Sequence, residues 1–340
     1  MDNLPDGFTE TSAGDLINIL GGPTLIDLPG RRPEPLFASV LLHGNEDTGL
    51  LAAQEVLRRY REQELPRRLL LFVGNVAAAA AGVRTLDRQL DFNRAWPGTL
   101  QLDAPESALM RQAVDYVAAR RPYASIDIHN NTGLNPHYAC VNNFEAPYLH
   151  LARLFSRTVV HFTKPAGVQS AAMAEICPAV TVECGKAGEH AATAHAAEFL
   201  EACLMQSGFP EHAPVPADFD LMRTFAIVKA PAQATISFDG SDADLRFRDD
   251  IDHLNFFELE PGSPFGQARH GADARLIVEA EPDAPAGEYF TYDDGEIRLA
   301  KPAIPAMLTR DERAVRLDCL CYLMHRIDFD GGLQSWSGRR

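Results

Sequence analysis

The apolar run Leu36-Phe-Ala-Ser-Val-Leu-Leu42 passes directly into His43-Gly-Asn-Glu46, and a helix-like segment from Gly49 to Tyr60 follows. A short run rich in Leu, Phe and Val suits a buried strand. The stretch therefore reads as strand, polar turn, helix, a succession that commits the chain to an α/β arrangement. In open α/β sheets, ligands collect at the carboxyl ends of the strands. An imidazole and a carboxylate three residues apart in such a turn can reach one metal ion as nitrogen and oxygen ligands, and zinc accepts both. Alone, the pair is also compatible with a plain polar loop.

Two further strand ends add chemistry. Ala124-Ser-Ile-Asp-Ile128 reads as a buried strand, and His129-Asn130-Asn131-Thr132-Gly133 after it reads as a loop. His129 is thereby a third candidate ligand. Two histidines and one glutamate, His43, Glu46 and His129, match a catalytic zinc site, which keeps one position open for water. A structural zinc would want four closed ligands, often cysteines, and none is near in the sequence. Ala179-Val-Thr-Val-Glu183-Cys-Gly185 offers Glu183 as a base that takes a proton from water and returns it to a leaving nitrogen. Between them, Asp91-Phe-Asn93-Arg94-Ala-Trp-Pro97-Gly98 is rich in turn formers and presents an amide beside a guanidinium. Such a pair suits a carboxylate, which an arginine fork binds through two parallel hydrogen bonds.

These motifs, HGNE, DFNRAWPG, DIHNNTG and VTVECG in that order over roughly residues 36 to 200, resemble the succinylglutamate desuccinylase and aspartoacylase family of the zinc carboxypeptidase superfamily. The resemblance implies a zinc-carboxypeptidase-like mixed sheet flanked by helices, with a smaller β-rich C-terminal domain that narrows access to the cleft. It implies one Zn2+ per chain, held by His43, Glu46 and His129, with Glu183 as general base. It also implies that Asn93 and Arg94 grip a substrate carboxylate and that Asn130 makes a further polar contact. The family's arginine that polarises the scissile carbonyl lies seven residues before the asparagine, where this chain has Leu86; Arg84 and Arg88 flank it, and Arg84 is favoured. Aspartoacylase-like members carry a substrate-binding arginine where this chain has Met173. They also contribute a tyrosine that has no counterpart near Thr309-Arg-Asp-Glu-Arg313. These departures speak against N-acetylaspartate itself as substrate.

The net charge of −16 over 340 residues argues against nucleic acid or anionic membranes as partners. An anionic substrate must then be drawn by local charge. Met1-Asp-Asn-Leu-Pro-Asp lacks the basic start and apolar core of a secretory signal. The apolar run Leu69 to Val83 is too short for a membrane helix and reads as a buried strand followed by a small-residue loop. Six cysteines, at 140, 177, 184, 203, 319 and 321, show neither a disulfide framework nor zinc-ribbon spacing. A cytoplasmic enzyme with reduced thiols is expected; a homo-oligomer is left open.

Strand and helix patterns alternate through about residue 205. Helices are expected over Pro105 to Arg121, Ala146 to Arg157 and Gly188 to Gln206, and a strand over Thr158 to Phe162. The proline-punctuated Gly208–Pro216 separates a catalytic domain of residues 1–207 from a β-rich domain of residues 217–340. The latter is expected to end in a helix from about Thr309 to Arg326, which would point Cys319 and Cys321 apart. Asp239 to Asp250 reads as a solvated loop, since the EF-hand spacing is missing. The expected function is zinc-dependent hydrolysis of an amide in a small carboxylate-bearing substrate, an N-acyl amino acid above all. Its alternatives are a metallocarboxypeptidase acting on short peptides and a non-catalytic protein that kept the metal cradle.

Overall fold

The computed structural model of the protein describes residues 1–210, 212, 214–269 and 274–327. His270 and the expected domain's last residues, 328–340, lie outside the described residues. The described chain divides into two compact units, one of Met1–Asn130 and His137–Leu221, the other of Asn131–Pro136 and Met222–Ile327. The fold is mixed α/β, with a large helix-covered mixed sheet and a β-rich C-terminal region. Among the described residues, no helix is long and apolar enough to cross a membrane.

In the first unit the strands are β1 (Thr24–Leu28), β2 (Gly30–Val40), β3 (Leu65–Val73), β4 (Ala124–His129), β5 (Tyr138–Val141), β6 (Thr158–His161) and β7 (Ala179–Glu183). They lie in the order β1-β3-β2-β4-β7-β5-β6. β3, β2, β4 and β7 run parallel, so their carboxyl ends share one edge. β1 and β5 are antiparallel to β3 and β7 respectively. The helices are α1 (Ile17–Leu20), α2 (Thr48–Arg59), α3 (Val76–Ala80), α4 (Pro105–Ala118), α5 (Ala146–Phe155), α6 (Gln169–Ala174) and α7 (His190–Met205).

Helix formation follows the apolar spacing. In α4, Pro105 occupies the first turn, where its missing N–H costs nothing, and Met110, Ala113, Val114 and Val117 are buried along one face. The run after β3 forms α3 rather than the expected loop. Asn75 explains this: its side-chain oxygen accepts the Ala78 N–H and caps a segment of alanines, the best helix formers.

Trp96, fully buried, packs edge-on against Phe37 of β2 and Phe72 of β3, with ring centroids 6.2 and 5.7 Å away. This anchors the turn-rich Asn93–Gly98 segment onto the sheet. Leu41, just past β2, adopts φ 57°. A leucine in the left-handed region carries a strain of about 1–3 kcal/mol, and here it turns the chain out of the strand two residues ahead of His43.

The second unit holds two sets of paired strands. β8 (Asp220–Lys229) pairs with β12 (Ile277–Ala280) and β16 (Cys321–Arg326), and β16 with β15 (Ile304–Ala306). The other sheet runs β13 (Phe290–Thr291), β14 (Glu296–Leu299), β11 (Pro264–Ala268), β10 (Leu245–Phe247), β9 (Ile236–Ser237). Phe238, Phe247, Phe265, Phe290 and Leu299 form part of its core. The expected helix from Thr309 to Arg326 is corrected. Only α8 (Glu312–Leu317) is helical, started by Asp311 accepting the Ala314 N–H, and Cys321–Arg326 is a strand. Leu323 and Met324 are fully buried between two antiparallel neighbours, and this tertiary pairing overrides a weak helical pattern. Cys319 and Cys321 therefore do not share a helix; both are buried free thiols.

Candidate metal centre

His43 and Glu46 lie in the turn between β2 and α2, which closes on itself through the Glu46 N–H to the His43 carbonyl at 3.1 Å. The Gly44 N–H donates to the Arg84 carbonyl at 3.0 Å, and a Cβ on Gly44 would sit 2.2 Å from the Ala79 nitrogen. Only glycine lets α3 and the Arg84 loop pack against the turn this closely. His129 ends β4, and Glu183 ends β7 as its register partner. The parallel ladder thus places an imidazole and a carboxyl group on neighbouring strands.

His43 Nδ1 lies 2.7 Å from Glu46 Oε1, and His129 Nδ1 lies 2.8 Å from Glu46 Oε2. The three side chains are buried, and their ligand atoms all lie within 4.8 Å of one another. On the far side of each ring stands another carboxylate. His43 Nε2 is 3.0 Å from Asp91 Oδ1, and His129 Nε2 is 2.7 Å from Asp127 Oδ2. Asp127, fully buried, is fixed in turn by the Ser39 hydroxyl at 2.6 Å. A proton held on each Nε2 leaves each Nδ1 lone pair facing inward, the tautomer a metal ligand requires.

Electrostatics fits the same ligand set. Burial works against a charged His43, and Arg84 adds to this, but Glu46 and Asp91 hold its imidazole above the usual value. Burial likewise opposes charge on His129, yet Asp127 and Glu46 raise it well above the histidine range. Burial would raise Glu46 and Asp91; instead His43 and His129 hold Glu46, and His43 and Arg84 hold Asp91, far below the carboxylate range. Three carboxylates, Glu46, Asp91 and Asp127, balance two imidazoliums and the Arg84 guanidinium. A divalent cation displacing the two Nδ1 protons leaves that balance unchanged. The residues present therefore fit a metal ion.

Glu183 differs from the other acids. Its Oε2 is buried without a hydrogen-bond partner. Burial, assisted by the Glu46 charge and opposed by His129, pushes its carboxyl up to about 7. A carboxyl group poised near neutrality can take up and release protons at working pH.

Arg84 turns its Nε and Nη2 to Asp91 Oδ2 at 3.2 and 3.1 Å and its Nη1 to Glu46 Oε1 at 3.4 Å. Arg88 is exposed and has no such contacts. The Asn75 and Gln89 amides pair at 2.7 Å across the base of this loop. Asn93 Oδ1 accepts the Gln169 N–H, which orients its Nδ2 toward His129, 3.2 Å from Nε2. That nitrogen already donates to Asp127, so the Asn93 amide retains donor capacity. Arg94 donates to its neighbour's carbonyl, Asn93 O, at 2.8 Å, and Gly167 presses so close that a Cβ there would be 2.4 Å from the Arg94 oxygen. Asn130 braces the strand ends: its N–H reaches Glu46 Oε2, its Nδ2 the Gly185 carbonyl, and its Oδ1 accepts from Thr48. Met173 is fully buried in the apolar core around Trp96.

Asp91 and Asp127 escaped the sequence reading. A signal for Asp127 existed, since residues i and i+2 of a strand share a face, which puts it beside His129. The expected result of Asp127→Asn is a metal dissociation constant raised about 10–100-fold, read by competition with a chromophoric chelator. Unchanged affinity would refute its supporting role.

Residues 38–205 match the model of the succinylglutamate desuccinylase/aspartoacylase catalytic domain. No curated protein matches the chain. Among solved structures, succinylglutamate desuccinylase from Chromobacterium violaceum is similar at 18% identity and a TM-score of 0.57, covering 88% of this chain and 86% of that one. A succinylglutamate desuccinylase/aspartoacylase from Rhodobacter sphaeroides matches at 12% identity and a TM-score of 0.58, covering 88% of each chain. Murine aminoacylase 3 matches at 14% identity and a TM-score of 0.51, covering 87% of this chain and 96% of that one. At these identities the structures speak for the fold. Residues 38–205 of the chain thus belong to the succinylglutamate desuccinylase/aspartoacylase family, and the solved structures share its fold.

Proposed function

We propose that the protein is a zinc-dependent deacylase that hydrolyses the amide bond of a small N-acyl amino acid. One observation carries this reading: three inward-facing donors, His43, Glu46 and His129, converge beside the unpartnered carboxyl group of Glu183. A bound divalent cation would supply Lewis-acid polarisation of the scissile carbonyl and acidify a water molecule. Glu183 takes the proton from the attacking water and passes it to the departing amine nitrogen. Arg84, steadied by Asp91, offers a guanidinium N–H to the developing oxyanion. Asn93 and Arg94 bind and orient a substrate carboxylate. Asp91 and Asp127 keep the Nε2 protons of His43 and His129 in place, so that with a cation on the two Nδ1 atoms both rings would be neutral ligands.

With Met173 committed to the core, no cation stands at that position of α6 for a second acidic group. N-acetylaspartate is therefore expected to be a poor substrate. The test is amine release from a panel of N-acyl amino acids and short peptides, with zinc-loaded and chelated protein. Loaded protein should cleave an N-acyl amino acid, chelated protein should not, and zinc should restore the rate. Cleavage of peptides alone would replace this reading with a carboxypeptidase, and no cleavage by loaded protein across the panel would overturn it.

A further inference from the structure

In the small sheet of the second unit, Arg246 of β10 is in register with Gln267 of β11, and Gln267 with Glu296 of β14. Leu245 and Phe247 on either side of Arg246 are buried in the core, so Arg246 faces away from it. The three polar side chains thus form a row across neighbouring strands on one face. They line a cavity of about 450 Å³, together with Arg248, Phe247 and the bare backbone of Gly240 and Gly266.

The charges along this row are unevenly matched. Arg248 is paired with Asp250, and Glu296 accepts both Nε and Nη2 of Arg298 at 2.9 and 2.6 Å. Arg223, Arg269, Arg316 and Arg326 of the same unit also face carboxylates. Arg246 has none. Its Nη2 donates to Gln267 Oε1 at 2.9 Å, and its Nε is buried without a partner. A cleft-lining guanidinium that the protein leaves without a carboxylate can take one from a ligand. At the other end, Glu296 is exposed, and a carboxylate already holding one arginine retains lone pairs for another donor.

We propose that this cleft binds a small extended zwitterion, such as an ω-amino acid, a lysine-like amino acid or a dipeptide. Its carboxylate pairs with the Arg246 fork, its ammonium group meets Glu296, and Gln267 spans the middle. The spacing selects the ligand. Arg246 and Glu296 are two strand intervals apart, about 10 Å at the backbone, which suits charges separated by a chain rather than those of glycine. The proposal is independent of the chemistry at the metal centre.

Isothermal titration of the full-length protein with 6-aminohexanoate, glycine, hexanoate and inorganic phosphate tests it. 6-Aminohexanoate should bind about tenfold more tightly than the other three, the gain of one charge-assisted contact. Arg246→Gln should abolish that binding, and Arg246→Lys should retain part of it. Glu296→Gln should lower 6-aminohexanoate to the level of hexanoate while leaving hexanoate unchanged. Both side chains lie on the outer face of the sheet, so unchanged thermal midpoints should confirm intact folding; should Arg246→Gln fail to fold, the ligand series and Glu296→Gln still decide. Absence of saturable binding, equal binding of phosphate, or indifference to Glu296→Gln would overturn the proposal.

Discussion

Glu183→Gln is expected to lower kcat by about 10²–10⁴ while metal content stays unchanged, since general acid–base catalysis typically supplies that factor. The amide keeps the size and shape of the carboxyl group but can neither accept nor return a proton. The same substitution should stabilise the metal-free protein, and only at higher pH. The Glu183 carboxyl titrates at about 7 in the folded chain, against 4.5 for the ordinary group. Below pH 4.5 the group is neutral in both states and costs nothing. Between 4.5 and 7 the unfolded chain releases the proton while the folded chain keeps it, so stability falls as pH rises. Above 7 the full penalty persists, about 3–4 kcal/mol for a shift of this size. Denaturant midpoints of metal-free wild type and variant should therefore coincide near pH 4 and separate by pH 8, with the variant higher. Loss of activity without that separation would show that Glu183 is not held in the dry position described. Retained activity would remove it from catalysis.

The depth to which the site could be read from sequence follows from where its parts lie. His43, Glu46, His129 and Glu183 each stand at the end of a β-branched or leucine-rich run, and parallel pairing of those runs brings their ends together without further information. Asp91 and Asp127 were harder to see, because an aspartate acquires a role only when the ring it faces is known. His43 and Asp91 are 48 residues apart, and their contact depends on a loop path that no local pattern encodes. The C-terminal half was legible as β-rich but not in detail. β9 and β13 have two residues each, too short for a two-residue period to show. In Cys321–Arg326 the apolar spacing suited helix and strand equally, and the neighbouring β8 and β15 decided it.

The choice between Arg84 and Arg88 illustrates the same limit and yields the second large effect. Both flank the position at which the family resemblance leads one to expect the carbonyl-polarising arginine, and sequence spacing treats them alike. The structure distinguishes them by contact: the Arg84 guanidinium is clamped by Asp91 through two nitrogens and presents Nη1 beside Glu46, whereas Arg88 is exposed. A donor held rigid before the reaction stabilises an oxyanion without reorganising, and removing one typically costs about 3–4 kcal/mol of transition-state stabilisation. Arg84→Leu should therefore reduce kcat by about 10²–10³ with a much smaller change in KM, because the oxyanion exists only in the transition state. Arg84→Lys should recover only part of the loss, since one ammonium group cannot hold Asp91 with two nitrogens and still face the carbonyl. Arg88→Gln should leave both constants within about twofold, as expected for an exposed side chain away from the centre. Steady-state kinetics on the three zinc-loaded variants separates the outcomes. A larger loss from Arg88→Gln, or a loss from Arg84→Leu confined to KM, would move the oxyanion donor elsewhere and leave Arg84 as a brace for Asp91 alone.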